Sequence, residues 1–353
     1  MKSISILVPT IDSGGAEKQA VLLSTTLSSY YSVNLIVLFG DHIEYSVHVE
    51  FLSKSSVSVY KLRGNIVSKV IRLRSILKKT DTSVLFNYLS LPDLIGSFVG
   101  RSLHIRTYNG IRTTRLSALK ERLEKIAHNL VATGSIFNCY SGVNYFCSRG
   151  YSKKKSIVIP NCFPNISDIR ERGDKEIKTI ITVGRFDEAK DYKTLIKSVS
   201  LLQRNDFQLC IIGYGILEEQ IREWVNEFNL EKKTNIHIKP YNVSELVCNA
   251  DIYLSTSLFE GTSNSIMEAL NWSLPVVATN VGDNDHLVIE GENGFLHPVG
   301  DVDGLSFSLC RLLDSVELRN QMGKKSNQNL RKNYSMKAFE KRYIDLIEGN
   351  NLR

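Results

Sequence analysis

Two glutamates, Glu260 and Glu268, stand eight residues apart in the segment LFEGTSNSIMEAL. On one continuous helix they would lie about 12 Å apart along the axis and about 80° apart around it, too far to share a proton or a metal ion. The intervening EGTSN is typical of a turn, in which Gly261 gives backbone freedom and Ser263 or Asn264 can cap a helix that carries Glu268. We therefore expect one carboxylate in a loop and the other on the following helix, with free backbone amides between them.

The start of that helix is suited to binding phosphate. Amides in the first turn have no partner inside the helix, and the helix dipole adds a favourable field for an anion. A carboxylate beside a pyrophosphate would be repelled, so Glu260 and Glu268 should accept hydrogen bonds from hydroxyl groups on either side of it. A nucleotide sugar has sugar hydroxyls, diphosphate and ribose hydroxyls in this order. If the segment stood alone, two unrelated surface glutamates would explain it equally well.

Two cations follow another predicted strand, in VGRFDEAKDY. Arg185 can fork across two phosphate oxygens and Lys190 can act as a point charge, so together they suit a pyrophosphate. The alternative is a solvated loop in which the cations pair with Asp187, Glu188 and Asp191. Because this loop lies in the same half of the chain as the glutamate pair, it favours the nucleotide-sugar interpretation.

Two glycine-containing turns follow other predicted strands. In PTIDSGGAEKQA, Gly14 and Gly15 open a helix, and their amides could approach a phosphate or a departing oxyanion; a simple tight turn is the alternative. In GYGILE, Gly213 and Gly215 begin a sequence like the dinucleotide fingerprint, but Glu218 stands where the third glycine is needed. NAD binding at this second turn is therefore disfavoured.

Short apolar runs alternate with helical patterns along the chain, which indicates parallel sheets covered by helices on both faces. The pattern breaks at the polar stretch SDIRERGDKEIK (Ser167–Lys178), typical of a linker, and then restarts. In such sheets ligands bind at the carboxyl ends of the strands, where the turns above lie. We expect an α/β protein of two doubly wound domains. The runs include SISILVP, VNLIVLF, SVLFNYL, LHIRTY, TIITVGRF, FQLCIIG, NIHIKP, ADIYLSTS and LPVVATN.

Composition is that of an ordinary globular protein, with 42% hydrophobic and 23% charged residues in a chain of 353. No apolar run reaches the roughly 20 residues that a membrane-spanning helix needs, and the apolar start ISILV is too short for a signal peptide. The six cysteines include no CxxC pair, so neither a zinc site nor a disulfide framework is supported. We expect a cytoplasmic protein.

The net charge of +7 is spread unevenly, because residues 101–125 hold seven basic and two acidic residues. A solvated helix face is the simplest interpretation. The functional interpretation is a patch for an anionic membrane surface or a phosphorylated acceptor. Nucleic-acid binding is disfavoured, since no recognised motif accompanies the charge. The basic residues are Arg101, Arg106, Arg112, Arg115, Lys120, Arg122 and Lys125.

Seven short motifs together carry a family resemblance. They are GGAE (Gly14–Glu17), VIPN (Val158–Asn161), GRF with a following lysine (Gly184–Lys190), IIGYG (Ile211–Gly215), FEGTSNSIMEA, LPVVAT (Leu274–Thr279) and NGFL (Asn293–Leu296). With them the chain resembles the retaining glycosyltransferases of the GT-B fold, glycosyltransferase family 4, over nearly its whole length. This resemblance implies two doubly wound Rossmann-like domains facing a central cleft, at residues 1–166 and 167–335, with a C-terminal helix at 336–353 that crosses back onto the first domain.

The resemblance also implies a role for each candidate residue. In such enzymes the residues matching Arg185 and Lys190 hold the donor diphosphate, the one matching Glu260 contacts the donor sugar, and the one matching Glu268 holds the ribose. Amides around Gly15 approach the reacting centre from the other domain. The remaining expected donor-binding positions are Gly14, Gly184, Gly213, Gly261, Thr262, Ser263 and Asn264.

The mechanism implied is sugar transfer with retention of anomeric configuration and without a metal ion or other cofactor. The two cations and the helix dipole would neutralise the leaving diphosphate, which is the role usually supplied by a divalent ion. The expected donor is a UDP-hexose or UDP-N-acetylhexosamine, with GDP-mannose as an alternative. The expected acceptor is a glycan, in particular a polyprenyl-diphosphate-linked oligosaccharide of surface polysaccharide assembly, met in peripheral contact with the anionic inner membrane face. A GT-B epimerase acting on UDP-N-acetylglucosamine and a non-catalytic sugar-nucleotide-binding protein remain as alternatives.

One position departs from the family pattern. Many members carry a histidine after a first-domain strand, near the donor sugar, whereas here LHIRTY is followed by NGIRTTR. His104 lies inside the predicted strand and is interpreted as a core histidine. We expect Asn109 and Arg112 to occupy the position on the donor-sugar and acceptor side.

Overall fold

The computed structural model describes residues 1–42, 45–112 and 117–350. The chain divides into two compact units, one formed by Met1–Cys162 with Lys337–Arg353 and the other by Phe163–Met336. Arg115, a member of the basic stretch, lies outside the described residues. Each unit is built on its own parallel sheet.

The described part of the first unit contains a seven-stranded parallel sheet in the order β3-β2-β1-β4-β5-β6-β7. All six residues of its interior strand β1 are buried, as expected for a strand covered on both faces. The strands are β1 Ser3–Val8, β2 Ser32–Val37, β3 Ser58–Lys61, β4 Thr82–Tyr88, β5 Arg106–Ile111, β6 Gly134–Phe137 and β7 Ser156–Val158.

Among the described residues of this unit, six α-helices connect these strands, and a seventh returns after the second unit. They are α1 Gly15–Leu27, α2 Ser46–Ser53, α3 Ile66–Lys79, α4 Ser90–Ser102, α5 Ala118–Ile126, α6 Tyr140–Ser148 and α14 Met336–Glu348. The returning helix α14 packs on the sheet through aromatic rings: Tyr343 meets Phe86 of β4 edge to face, with ring centroids 5.3 Å apart. A π-helical turn, Ala127–Val131, continues α5.

The second unit contains a six-stranded parallel sheet in the order β10-β9-β8-β11-β12-β13. Its strands are β8 Lys178–Arg185, β9 Phe207–Tyr214, β10 Thr234–Ile238, β11 Ile252–Ser255, β12 Val276–Thr279 and β13 Gly294–His297. Its helices are α7 Tyr192–Ser200, α8 Glu218–Glu227, α9 Val243–Asn249, α10 Asn264–Asn271, α11 Asn284–Leu287, α12 Val302–Asp314 and α13 Val316–Asn333. Two parallel α/β units confirm the predicted fold class. Among the described residues, no helix has the length and apolar character needed to cross a membrane.

The polar stretch Ser167–Lys178 belongs to the second unit: most of its residues are exposed, but Arg172 anchors it there. The guanidinium of Arg172 is buried and donates hydrogen bonds to the carbonyl oxygens of Cys248 (3.2 Å), Ala250 (2.7 Å), Trp272 (2.7 Å) and Ser273 (2.8 Å). These carbonyl groups lie at the C-terminal ends of α9 and α10. The last carbonyl groups of a helix have no hydrogen-bond partner inside that helix. One arginine thus caps two helices, and the chain passes between the units earlier, at Cys162.

Candidate functional site

Lys190 and Glu260 are brought together at the carboxyl edge of the second sheet. Lys190 ends a short 3-10 turn after β8, and Glu260 lies in the loop between β11 and α10. Their side chains form an ion pair, and the hydroxyl of Ser257 donates a hydrogen bond of 2.9 Å to Oε1 of Glu260. Both charged side chains are largely buried. The pair therefore has a fixed position within this unit.

Hydrogen bonds between the two loops hold this pair in place. The hydroxyl of Thr256 donates to the carbonyl oxygens of Lys190 (3.0 Å) and Asp191 (2.9 Å), and the amide of Leu258 donates to the carbonyl of Ala189 (2.8 Å). Asp191 adopts a left-handed φ of 45° and caps the following helix α7 through its side chain. The loop after β8 is thus tied to the end of β11 at several points.

Glycines make room beneath this loop. Gly184 and Gly213 are paired neighbours on β8 and β9. A Cβ on Gly213 would lie 1.9 Å from the carbonyl oxygen of Gly184, and a Cβ on Gly184 would lie 3.3 Å from Cε of Lys190. Gly213 therefore permits close approach of two strands, while Gly184 lies directly under the lysine side chain.

Arg185 differs from Lys190 in its surroundings. Its side chain is 72% exposed at the end of β8, and Nη2 lies 3.0 Å from Oδ2 of Asp187. The sequence left open that both cations pair with acidic residues of their own loop. Arg185 does so, whereas Lys190 pairs with Glu260 of another loop. An exposed arginine at a strand end can turn toward an anion at little cost.

The first turn of α10 follows Glu260 directly. Gly261, Thr262 and Ser263 connect the glutamate to the helix, which begins at Asn264. Ser263 occupies the capping position, but within the described chain its side chain makes no capping bond to the helix. The backbone amides of the first turn thus receive no capping bond from Ser263, and the helix itself offers them no carbonyl partner.

The loop is supported from below by Gly282 and Asp283. Gly282 has a left-handed φ of 61°, and a Cβ there would lie 2.2 Å from the carbonyl oxygen of Glu260. The amide of Asp283 donates to the carbonyl of Gly261 (3.2 Å). Only glycine fits beneath the loop at position 282.

Glu268 lies on α10 with its carboxylate held toward α9. Its Oε1 accepts hydrogen bonds from the hydroxyl of Ser244 (2.7 Å) and from Nε1 of Trp272 (2.9 Å). The predicted arrangement, one glutamate in a loop and the other on the next helix, is the one observed. Sequence reasoning missed Ser244, Trp272 and Ser257. The spacing of Trp272, four residues after Glu268, is a signal that could have found one of them.

The glycine pair of the first unit opens helix α1. Gly14 is the capping residue, with φ −62° and ψ 150°, and its carbonyl accepts a hydrogen bond from the amide of Lys18 (2.9 Å). Gly15 is exposed, and a Cβ added there would meet no atom within 4 Å. The first turn of α1 therefore faces open space on the side of Gly15.

Asn109 requires a correction, because it lies in the core of the first unit. Strand β5 runs on to Ile111, so Asn109 is inside the strand and is 1% exposed. Its Oδ1 accepts hydrogen bonds from Nδ2 of Asn87 (3.0 Å) and from the hydroxyl of Ser97 (2.8 Å). It supports the packing of α4 on the sheet and does not present its side chain to a ligand.

Arg112 is also engaged within the first unit. Its guanidinium lies over the ring of Tyr88, with Cζ 4.9 Å from the centroid, and Nη1 donates to Oδ1 of Asn161 (2.7 Å). Nη2 lies 3.4 Å from the hydroxyl of Tyr343 on α14. Arg112 thus joins the end of β5 to the VIPN segment and to the returning helix, which explains why it does not belong to an exposed basic patch.

His104 likewise differs from expectation. It lies in the turn before β5 with a left-handed φ of 57°, and it is exposed. The expected core histidine is therefore a surface residue, because the strand begins only at Arg106.

Comparison with known proteins identifies relatives of the whole chain. Residues 166–329 match the family model of glycosyl transferases group 1. A Campylobacter jejuni protein named N-acetylgalactosamine-N,N'-diacetylbacillosaminyl-diphospho-undecaprenol 4-alpha-N-acetylgalactosaminyltransferase is 25% identical over 97% of this chain and 96% of its own length. The amylovoran biosynthesis glycosyltransferase AmsD of Erwinia amylovora is 22% identical over 98% of this chain and all of its own length.

Solved structures show the same fold. The crystal structure of Anabaena Alr3699/HepE in complex with UDP superposes with a TM-score of 0.78 at 16% identity, covering 99% of this chain and 100% of that one. The same Anabaena protein has been solved with UDP-glucose. At this identity the likeness establishes the GT-B fold.

Proposed function

We propose that the chain, whose residues 166–329 match the glycosyl transferases group 1 model and which has the GT-B fold, transfers a hexose or N-acetylhexosamine from a nucleoside-diphosphate sugar to a glycan acceptor, with retention of configuration. The observation that carries the donor assignment is the pairing of Lys190 with Glu260 immediately before the uncapped first turn of α10. The ammonium group of Lys190, the carboxylate of Glu260 and the first turn of α10, which in the described chain has no capping bond from Ser263, thus belong to two neighbouring loops at one edge of the sheet. A cation and helix-start amides suit a diphosphate, and a carboxylate suits sugar hydroxyls.

In the proposed reaction, the second unit binds the donor. Lys190 and Arg185 neutralise the charge that develops on the leaving diphosphate, and the amides at the start of α10 add to this stabilisation. Glu260 accepts hydrogen bonds from the hydroxyls of the transferred sugar, and Glu268 from those of the ribose. The leaving phosphate takes the proton of the acceptor hydroxyl through an ion-pair transition state, without a metal ion.

Two relatives guide the choice of substrates. The Anabaena protein of the same fold has been solved with UDP and with UDP-glucose, which favours a UDP-sugar as donor. The Campylobacter protein is named for a diphospho-undecaprenol acceptor, which favours a polyprenyl-diphosphate-linked oligosaccharide here. We place the reaction in surface polysaccharide assembly, with the protein in peripheral contact with an anionic membrane.

A thermal-shift screen tests the donor assignment. The purified protein is heated with UDP, GDP, ADP, NAD and their common sugar conjugates, each with and without EDTA. A ligand at a hundred times its dissociation constant stabilises the folded state by about 2.7 kcal/mol, so a donor is detectable. We expect one nucleoside diphosphate and its sugar conjugate to raise the melting temperature equally in EDTA. A shift with NAD alone would reject the proposal.

A second experiment tests the chemistry. Lys190→Ala should abolish transfer while the protein still folds, as a cooperative melting transition would show, and proton NMR of the wild-type product should show the donor's anomeric configuration. Normal turnover by Lys190→Ala would reject the diphosphate role. Conversion of UDP-N-acetylglucosamine to its epimer without acceptor would favour the epimerase instead.

A further inference from the structure

Three side chains form a closed triangle at the carboxylate of Glu268. Its Oε1 accepts a hydrogen bond from the hydroxyl of Ser244 on α9 (2.7 Å) and another from Nε1 of Trp272 (2.9 Å). Nε1 of Trp272 also lies 3.1 Å from the hydroxyl oxygen of Ser244, so the single indole N–H is shared between two acceptors. The carboxylate is thus held by donors from α9 and from the end of α10.

The position of the indole is itself fixed. Trp272 ends α10, where its amide donates a hydrogen bond to the carbonyl of Glu268 (3.2 Å). Its own carbonyl accepts a hydrogen bond from the buried guanidinium of Arg172 (2.7 Å). The ring is half-buried and packs against a buried hydrophobic cluster of the second unit. Trp272 therefore presents its N–H to Glu268 from a fixed place.

The two donors occupy one oxygen of the carboxylate and leave the other. An ionised carboxylate has about four lone-pair sites, about two on each oxygen, and both sites of Oε1 are used. Oε2 of Glu268 has no hydrogen-bond partner in the part of the chain that the structure describes. The side chain is half-buried, so it remains accessible from solvent. Glu268 therefore offers one free acceptor whose direction is set before any ligand binds.

We propose that Trp272 and Ser244 are positioning residues, which aim Oε2 of Glu268 at the ribose hydroxyls of the nucleotide and so select a ribonucleoside diphosphate. This inference rests on the proposed function, which assigns the ribose to Glu268. A side chain that neighbouring hydrogen bonds already hold in place loses little conformational freedom when it binds a ligand. A site built to accept hydrogen bonds from substrate hydroxyls also rejects an analogue that lacks them, because its acceptor is then left without a partner.

A purely structural role makes a different prediction. The same contacts tie the end of α10 to α9, and a contact between residues four apart also supports the last turn of a helix. If this were their only role, removing the indole N–H would lower the melting temperature and weaken the binding of every nucleotide to the same degree. The positioning role affects only the nucleotides that carry ribose hydroxyls.

Isothermal titration with UDP and with 2′,3′-dideoxy-UDP separates the two roles. We expect the wild type to bind UDP about tenfold more tightly than dideoxy-UDP, which cannot donate hydrogen bonds to the charged acceptor. Trp272→Phe keeps an aromatic ring without the N–H and should weaken UDP binding about fivefold, and Ser244→Ala should weaken it about threefold. Neither change should alter the affinity for dideoxy-UDP.

Two variants serve as controls. Ser244→Thr keeps the hydroxyl group and should restore the affinity that Ser244→Ala loses. Trp224→Phe replaces the other tryptophan of the chain, which lies on α8 and packs against a different hydrophobic cluster, and should change neither affinity. Because Ser244 is exposed, Ser244→Ala gives a folded protein in which the comparison of the two nucleotides can be made.

Glu268→Ala distinguishes failure of this inference from failure of the proposed function. Suppose that it weakens UDP binding about tenfold. If Trp272→Phe and Ser244→Ala then leave UDP binding unchanged, or weaken both nucleotides equally, the positioning role is refuted and the ribose assignment stands. Equal affinity of the wild type for the two nucleotides would also overturn the inference. If Glu268→Ala leaves UDP binding unchanged, the ribose assignment of the proposed function is wrong, and the inference falls with it.

Discussion

Lys190 and Glu260, seventy residues apart in the sequence, form an ion pair in which Ser257 donates a hydrogen bond to the same carboxylate. A diphosphate would compete with Glu260 for the ammonium group of Lys190, and sugar hydroxyls would compete with Lys190 for the carboxylate. Because both side chains are largely buried, removal of either charge changes the properties of the other.

Replacing Glu260 by Gln should therefore separate binding from transfer. Without the competing carboxylate, Lys190 is available to the diphosphate, and we expect the dissociation constant of UDP to fall about tenfold. Transfer should fall about a hundredfold, since a hydrogen bond from the sugar to a charged acceptor is lost. Isothermal titration and initial rates measure the two effects. Glu218→Gln, in an exposed ion pair of the same unit, is the control, and weaker UDP binding by Glu260→Gln would contradict the expectation.

Gly15→Ala tests whether the first turn of α1 approaches substrate. An added Cβ meets no atom within 4 Å, so the melting temperature should change by less than about 2 °C. If the amide lies against the reacting groups, the methyl group should reduce kcat without reducing stability. Gly213→Ala is the contrast, because its Cβ would lie 1.9 Å from a carbonyl oxygen and should destabilise the fold. Full activity of Gly15→Ala would show that this turn does not reach the reacting centre.

Arg172→Lys should destabilise the protein by about 2–4 kcal/mol. Four carbonyl oxygens share one planar guanidinium, and an ammonium group cannot reach all of them in the same geometry. Urea unfolding measures the loss. Arg170→Lys, an exposed arginine two residues earlier, should change the free energy of unfolding by less than about 0.5 kcal/mol. Equal effects of the two variants would refute the capping role.

Asp93→Asn should make stability less sensitive to pH. Burial and the nearby charge of Glu124 raise the pKa of Asp93, and these effects outweigh the amide of Gly110 and the charge of Arg112, which act in the opposite direction. In the unfolded chain the pKa of an aspartate is about 4, so above that pH the folded state binds more protons and becomes less stable as pH rises. Between pH 5 and 8, the urea midpoint of Asp93→Asn should decline less than that of the wild type.

The control for this prediction is Asp285→Asn, which changes an exposed carboxylate of the second unit. Its urea midpoint should follow that of the wild type at every pH. Burial also raises the pKa of Glu124, so some pH dependence should remain in Asp93→Asn. If Asp93→Asn and Asp285→Asn have the same profile, Asp93 is not the titrating group.

The local sequence predicted strands and helices well where a single pattern, such as an apolar run, dominates the segment. The apolar run SISILVP predicted β1, which the structure shows at Ser3–Val8. The start of β5 was misplaced because His104 takes a left-handed φ, which a non-glycine residue rarely does. Such a conformation depends on neighbours that the local sequence does not reveal.

The site was predictable in part for the same reason. The spacing of Glu260 and Glu268 indicates a loop and a helix by local geometry alone. The contact of Lys190 with Glu260 and that of Asn109 with Asn87 depend on how separate strands pack. In the sequence alone, a polar residue near a strand end looks the same whether its side chain is buried or exposed. Tertiary contacts therefore decide which polar residues are at the surface.

The return of α14 to the first unit has a consequence for synthesis. The first unit is complete only when α14 has left the ribosome, whereas the second unit, Phe163–Met336, is continuous. At about 5–20 residues per second, the aromatic face of β4 waits roughly ten seconds or more for Tyr343. During that interval Phe86 and the guanidinium of Arg112 lack their final covering. A nascent first domain thus depends on synthesis of α14, and truncation shortly before α14 would leave this domain as a substrate for chaperones.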